Sequence, residues 1–170
     1  RSNLLRRPLT AAQLINFINT TVIPTSGDSD VLIIGDLNAY AKEDPITTLI
    51  NAGYTNLVER FNGAEAYSYA FDGQLGYLDH ALASASLLPQ VAGTADWHIN
   101  ADEPDVLDYD TTFKPTAQDN LYEPNGYRSS DHDPVVVGLN VINTPPIVAA
   151  GGPYTVTEGG SVVVSATGAD

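Results

Sequence analysis

The chain contains no cysteine. That removes disulfides, thiol nucleophiles and thiolate metal sites together, and it is compatible with export. Cations are scarce as well: 7 Lys and Arg stand against 21 Asp and Glu, a formal charge of −14. Arg1, Arg6 and Arg7 account for three of the seven, leaving Lys42, Arg60, Lys114 and Arg128 for the rest of the sequence. A broad basic patch for a polyanion is therefore excluded, because too few cations exist to displace counterions. An acidic chain can still work on phosphates when a divalent cation supplies the positive charge. No run of about 18 consecutive apolar residues is present, so no membrane span is expected. The sequence also has no methionine and no apolar leader with a cleavage site. We expect a piece of a longer polypeptide.

What is present suffices for a core. The 170 residues are 43% apolar, enough for one ordinary domain and the beginning of a second. Thr10 and Gln13 have the spacing of a capping box, and Ala11, Leu14, Ile15 and Ile18 share one face of the helix that would follow. Val31–Ile34 is a short, β-branched-rich run without alternation, as in a strand buried on both faces. Asp44-Pro45 starts a second helix with Ile46, Leu49 and Ile50 as its stripe, and Gly53 stops it. Tyr67, Tyr69 and Phe71 alternate, Asp72-Gly73 turns, and Gly76 to Ser84 reads as the return strand of a hairpin. Six acids between residues 96 and 110 (Asp96, Asp102, Glu103, Asp105, Asp108, Asp110) mark a long surface excursion. Val135–Val141 is the last strong strand, and Asn143-Thr144-Pro145-Pro146 breaks the pattern. A boundary is placed there: 1–142 is the main unit, and 143–170 holds a linker and at most two strands.

Four short segments carry polar residues where α/β sheets place their sites. In Gly35-Asp36-Leu37-Asn38 an extended backbone would project Asp36 and Asn38 to one side, a pairing that suits a hard divalent cation or a phosphoryl oxygen. Taken alone, the same letters favour an Asx turn after a strand. In Leu78-Asp79-His80 the two polar neighbours face opposite ways. His80, beside Leu78 and Leu82, reads as a core or supporting histidine. Asp79, beside Tyr77 and Ala81, has room to orient a catalytic imidazole. In Ser129-Ser130-Asp131-His132-Asp133 an imidazole lies between two acids, which suits general-base work and metal ligation. A solvated turn feeding a strand fits the same letters, and a serine hydrolase is disfavoured because no G-x-S-x-G elbow is present. In Trp97-His98-Ile99-Asn100 an aromatic, an imidazole and an amide could line a substrate rim, or form a strand with Trp97 on the core. The acids that follow read as a solvated face, since no EF-hand loop pattern is visible.

Taken in order, GDLNAYAKEDPI (35–46), GYLDHALAS (76–84) and YRSSDHDPVVVGL (127–139) resemble the endonuclease/exonuclease/phosphatase superfamily, with its deoxyribonuclease-I-like fold. NAYAKEDPI and WHINADEP are similar to the extracellular bacterial nuclease branch, and the resemblance covers roughly residues 9 to 142. It implies an α/β fold, the carboxy-terminal half of a four-layer α/β/β/α sandwich. It also implies metal-dependent hydrolysis of nucleic acid, DNA rather than RNA, outside the cell or at its surface. Asp36 would position the attacking water or touch the metal. Asn38 would hold a phosphoryl oxygen or complete the metal shell. Asp131 would ligate a divalent cation, Mg²⁺ first with Ca²⁺ or Mn²⁺ as alternatives. His132 would be the base and Asp79 would orient it, with Trp97, His98, Asn100 and Arg128 at the rim.

The family's amino-terminal half brings an Asn and a metal-binding Glu that this sequence does not contain. The resemblance therefore implies that this chain alone is inactive or nearly so, and that the missing half is its partner. The tail GGPY…EGG…SATG is similar to the opening of a polycystic-kidney-disease-type immunoglobulin-like repeat. Two other readings stand beside the nuclease: a lipid or inositol phosphatase or sphingomyelinase-like phosphoesterase of the same superfamily, and a non-catalytic surface-adhesion module.

Overall fold

The computed structural model describes residues 2–107, 109–141, 147–149, 151–164 and 167–169. Arg1, Asp108, the Asn143–Pro146 linker and part of the SATG string lie outside the described residues. The chain is α/β, with mixed helices and antiparallel sheets. Its contacts divide it into two units, Arg1–Asn140 and Val141–Asp170.

In the first unit, helix α1 (Ser2–Phe17) runs into a π-turn (Ile18–Val22) and a short helical turn α2 (Ile23–Ser26). Thr10 is therefore inside a helix rather than at its cap. The apolar face is the one read from spacing: Ala11 and Ile18 are buried, and Leu14 and Ile15 pack against them. Strand β1 (Leu32–Asp36) follows, then helix α3 (Asp44–Asn51), whose Pro45 occupies the first turn and whose Ile46 and Leu49 are buried. Next come β2 (Thr55–Asn56) and α4 (Leu57–Asn62), where the Asn56 side chain accepts from the Glu59 N–H as a cap. The hairpin β3 (Tyr69–Phe71) and β4 (Gln74–Gly76) turns at Asp72-Gly73, and both residues have positive φ (49° and 74°). That is the signature of a type I′ turn, whose twist matches the strands it joins.

The return strand is not continuous. The chain leaves the hairpin at Gly76 and starts a new strand, β5 (Asp79–Ala83), which pairs with β1 and β2 in the order β1-β5-β2. β5 is thus a central strand, buried at every position, while β1 lies at the edge of its sheet. This corrects the reading of Val31–Ile34 as buried on both faces, since Ile34 is 48% exposed. The two faces of β5 feed two cores. Leu82, opposite Ile33, packs with Ala11, Ile18, Leu49 and Tyr54 under α1 and α3. Ala81 and Ala83 pack with Leu57, Val58 and Leu87, and against Val91, Val135 and Val137. The last three residues come from β6 (Val91–Asp96) and β7 (Val135–Leu139), a separate antiparallel pair. Truncating a fully buried residue such as Leu82 to Ala would cost about 2–5 kcal/mol. A 3₁₀ turn (Asp105–Leu107) and helix α5 (Thr116–Asp119) break up the long connection between β6 and β7.

In the second unit, β8 (Ile147–Ala149) and β9 (Thr167–Ala169) form an antiparallel pair. Among the described residues, no helix is long and apolar enough to cross a membrane.

Candidate active site

Asp79 opens β5 at the end of its sheet, and its register partner is Asp36, the last residue of β1. The Leu37 N–H donates to Leu78 O (3.0 Å), so the Asp36–Asp79 pair between them and the next bonded pair is a non-hydrogen-bonded one. Side chains come closest in such pairs, and two like charges there repel unless something compensates. For Asp79 the compensation is built in. Its Oδ2 accepts from the Ser68 hydroxyl (2.7 Å) and from His132 Nδ1 (2.7 Å). Ser68 is fully buried and Asp79 nearly so. Because a carboxylate can only accept, Nδ1 of His132 donates to it, which leaves Nε2 as the nitrogen not engaged by Asp79. An imidazole held this way is oriented as a general base. The Tyr69 ring packs on it with centroids 4.5 Å apart, and Tyr69 and His132 also form an isolated antiparallel bridge.

A second His–Asp pair follows directly in the chain. Asp133 is buried to 1% exposure. Its Oδ1 accepts from the backbone N–H groups of Ile99 (3.1 Å), Asn100 (2.8 Å) and Ala101 (2.9 Å), and its Oδ2 from His98 Nδ1 (2.8 Å). Burial pushes the Asp133 carboxyl up, but these hydrogen bonds outweigh it and hold the group below the ordinary carboxylate range. The His98 ring lies flat on Tyr67, with centroids 4.2 Å apart and planes 12° from parallel. Tyr67 in turn donates its hydroxyl to Asp102.

The other expected rim residues divide. Trp97 is 61% exposed, with its ring available to solvent. Asn100 is buried, and it scaffolds the loop: Nδ2 donates to His132 O (2.7 Å) and Oδ1 accepts from Ser129 N–H (3.0 Å). Arg128 is buried as well, at positive φ (53°), with its guanidinium on the carbonyls of Asn100 (3.1 Å) and Glu103 (3.3 Å) and on Asp105 (2.7 Å). Both therefore tie the acidic excursion to the Ser129–Asp133 turn, because a loop without ladder partners must satisfy its carbonyls with side chains. Arg128 keeps one edge in a cavity of about 340 Å³, also lined by Tyr69, Phe71, Tyr109, Lys114 and Asp131. Asp131 accepts there from the Tyr109 hydroxyl (3.2 Å).

At the Asp36–Asn38 segment the backbone does not stay extended. Asp36 Oδ1 accepts from the Asn38 N–H (2.7 Å), and Asn38 takes a left-handed φ of 51°. The segment is the Asx turn that its letters favour, so the same-side placement that an extended backbone would give Asp36 and Asn38 does not arise. Asn38 lines an apolar groove with Ala11, Leu14, Leu37 and Leu49. His80 is a core residue, as its neighbours suggested. It is fully buried, its Nε2–H donates to Ala39 O (2.7 Å), and its ring packs on Tyr77. Burial holds its imidazole below the ordinary value of 6.5.

Among the described residues, no three His, Cys, Asp or Glu side chains gather as a metal cage. The donors near the dyad are hard carboxylate oxygens, Asp36 and Asp131. One or two carboxylates is the usual protein share for Mg²⁺, with waters and substrate phosphate completing its shell. The donor chemistry therefore fits that cation, with Ca²⁺ or Mn²⁺ as oxygen-seeking alternatives.

Sequence reasoning missed Ser68, Tyr69, Tyr67 and Asp133 as parts of the site. The alternation at 67, 69 and 71 signalled the two tyrosines, and the second acid of Asp131-His132-Asp133 signalled the second pair. Nothing local to Ser68 marks it, because its partner lies eleven residues away across the hairpin. No family model matches the chain, and no curated protein is significantly similar to it.

Proposed function

We propose that this chain supplies the general-base half of a metal-dependent phosphodiesterase centre acting on nucleic acid, DNA in the first instance. The observation that carries the reading is the His132–Asp79 hydrogen bond at 2.7 Å, formed by residues 53 apart in sequence at the end of a sheet. His132 Nε2 takes the proton of the attacking water. Asp79 holds the ring in the required tautomer and steadies the imidazolium that forms, and the buried Ser68 hydroxyl fixes Asp79. Asp36 and Asp131 would hold the divalent cation, Mg²⁺ before Ca²⁺ or Mn²⁺, with Asn38 beside Asp36. When bound, the cation supplies the positive charge that this acidic chain lacks, offsetting the charge that develops on the phosphoryl oxygens. Trp97 and His98 contact the strand at the rim.

The same reading assigns the architecture to the carboxy-terminal half of a four-layer α/β/β/α sandwich. Its support is that β5 packs α1 and α3 on one face, and the β6–β7 pair together with α4 on the other. It also assigns a location outside the cell or at its surface, and a tail that begins an immunoglobulin-like repeat. The test is plasmid nicking with Mg²⁺ by the polypeptide that carries this chain. His132→Ala should lower the rate by roughly 10²–10⁴-fold with the fold retained by circular dichroism. Unchanged nicking would remove the proposal.

A further inference from the structure

The two His–Asp pairs are built alike. Each imidazole donates Nδ1–H to an aspartate Oδ2, at 2.7 Å for His132 and 2.8 Å for His98. Each ring packs on a tyrosine, and the two tyrosines, Tyr69 and Tyr67, are separated only by Ser68. Residues two apart have Cα atoms no more than about 7 Å from one another, so the two aromatic platforms are neighbours. The pairs also interlock, since Asp133, the partner of His98, directly follows His132, and its N–H donates to Ser68 O (2.7 Å).

Asp133 commits only one nitrogen of His98: Nδ1 is the partner of Oδ2, while Oδ1 is bound by the backbone. Three backbone N–H groups share that Oδ1. The His98 side chain is 38% exposed, and its Nε2 is turned away from the carboxylate that binds Nδ1. We propose that His98 is a second substrate-contacting imidazole, taking a backbone phosphate beside the one on which His132 acts, so that the site accepts a polynucleotide strand rather than an isolated phosphodiester. A phosphate oxygen only accepts, so contact requires a proton on Nε2. The resulting imidazolium lies between the Asp133 carboxylate and the phosphate, both of which stabilise it. A donor aimed at phosphate suits a chain with a net charge of −14 and few cations.

The proposal rests on the phosphodiesterase reading, and its test is separable from that reading. The variant is His98→Asn, whose amide can still donate to Asp133 but has no distal nitrogen. The measurement is fluorescence anisotropy of a labelled, phosphorothioate-substituted single strand of about 12 nucleotides with Mg²⁺, over a range of salt concentrations. The expected result is roughly tenfold weaker binding and a salt slope smaller by about 0.7, the share of one phosphate contact on a single strand. Equal affinity and slope in the two proteins, or no binding by the wild type, overturns the proposal. Weaker binding at an unchanged salt slope would make His98 a scaffold residue and overturn the proposal as well. Failure of the phosphodiesterase reading shows elsewhere, as nicking that survives His132→Ala.

Discussion

Replacing Asp133 tests whether the turn that carries His132 is held by one buried carboxylate. Ala at this position strands three backbone N–H groups and the His98 Nδ1–H. Each orphaned buried donor costs about 1–3 kcal/mol, but the Ile99–Ala101 turn can open to water, so the four costs do not add. A total of about 3–5 kcal/mol follows, the range for breaking a buried charged network. Asn keeps an oxygen for the backbone donors but loses the charge and the bond to His98, for a smaller loss of about 1.5–3 kcal/mol. The assay is urea unfolding followed by circular dichroism. With a slope near 2 kcal/mol/M, a loss of 4 kcal/mol lowers the midpoint by about 2 M at unchanged slope. The carboxyl's value is depressed in the folded chain, so its contribution is full above the ordinary value of 3.8 and is lost as pH falls through the lower folded value. Wild type and Asp133→Asn should therefore converge in stability at acid pH. An Ala variant within about 0.5 kcal/mol of wild type at neutral pH would refute the reasoning.

Two further outcomes follow from burial and from close approach. His80 is held below its ordinary 6.5, so the stability it contributes is present above that value and is lost as pH falls through the lower one. Between about pH 7 and 5 the melting temperature of wild type should drop more than that of His80→Gln, and equal slopes would contradict this. At Gly76 an added Cβ would lie 2.8 Å from Tyr40 Cε1 and 3.1 Å from Cδ1, but Tyr40 is 42% exposed and its ring can swing aside. Gly76→Ala should cost about 0.5–1.5 kcal/mol in denaturant unfolding, and the cost should vanish in a Tyr40→Ala background.

Local chemistry was legible where the determinant was local. Pro45 at the start of α3, the stripe of Ala11 and Ile18, and the Asp72-Gly73 turn are all set by neighbours a few residues away, and the structure has each of them. The start of α1 was misjudged because the Thr10–Gln13 spacing is also tolerated inside a helix. The strand after Gly76 was misjudged because pairing is a long-range decision: nothing between 76 and 79 states that β5 will leave the hairpin and enter between β1 and β2. The meeting of Asp79 with His132 was read from resemblance and is present. At Asp36-Leu37-Asn38 the local letters favour an Asx turn and the structure has it, because the bond from Asn38 N–H to the Asp36 carboxylate spans only two residues. Arg128 and Asn100 carry a second role that local spacing does not show: polar residues in a long connection also satisfy that connection's own backbone.

Ser68 spends every polar atom on a different strip of the chain: its N–H on Gly76 O (3.0 Å), its carbonyl on Asp133 N–H and its hydroxyl on Asp79. A shift of any one of these strips drags the other two, so neither histidine can be retuned on its own. Evolution or engineering aimed at one imidazole has to move both, and Ser68 is the hinge pin through which that motion passes.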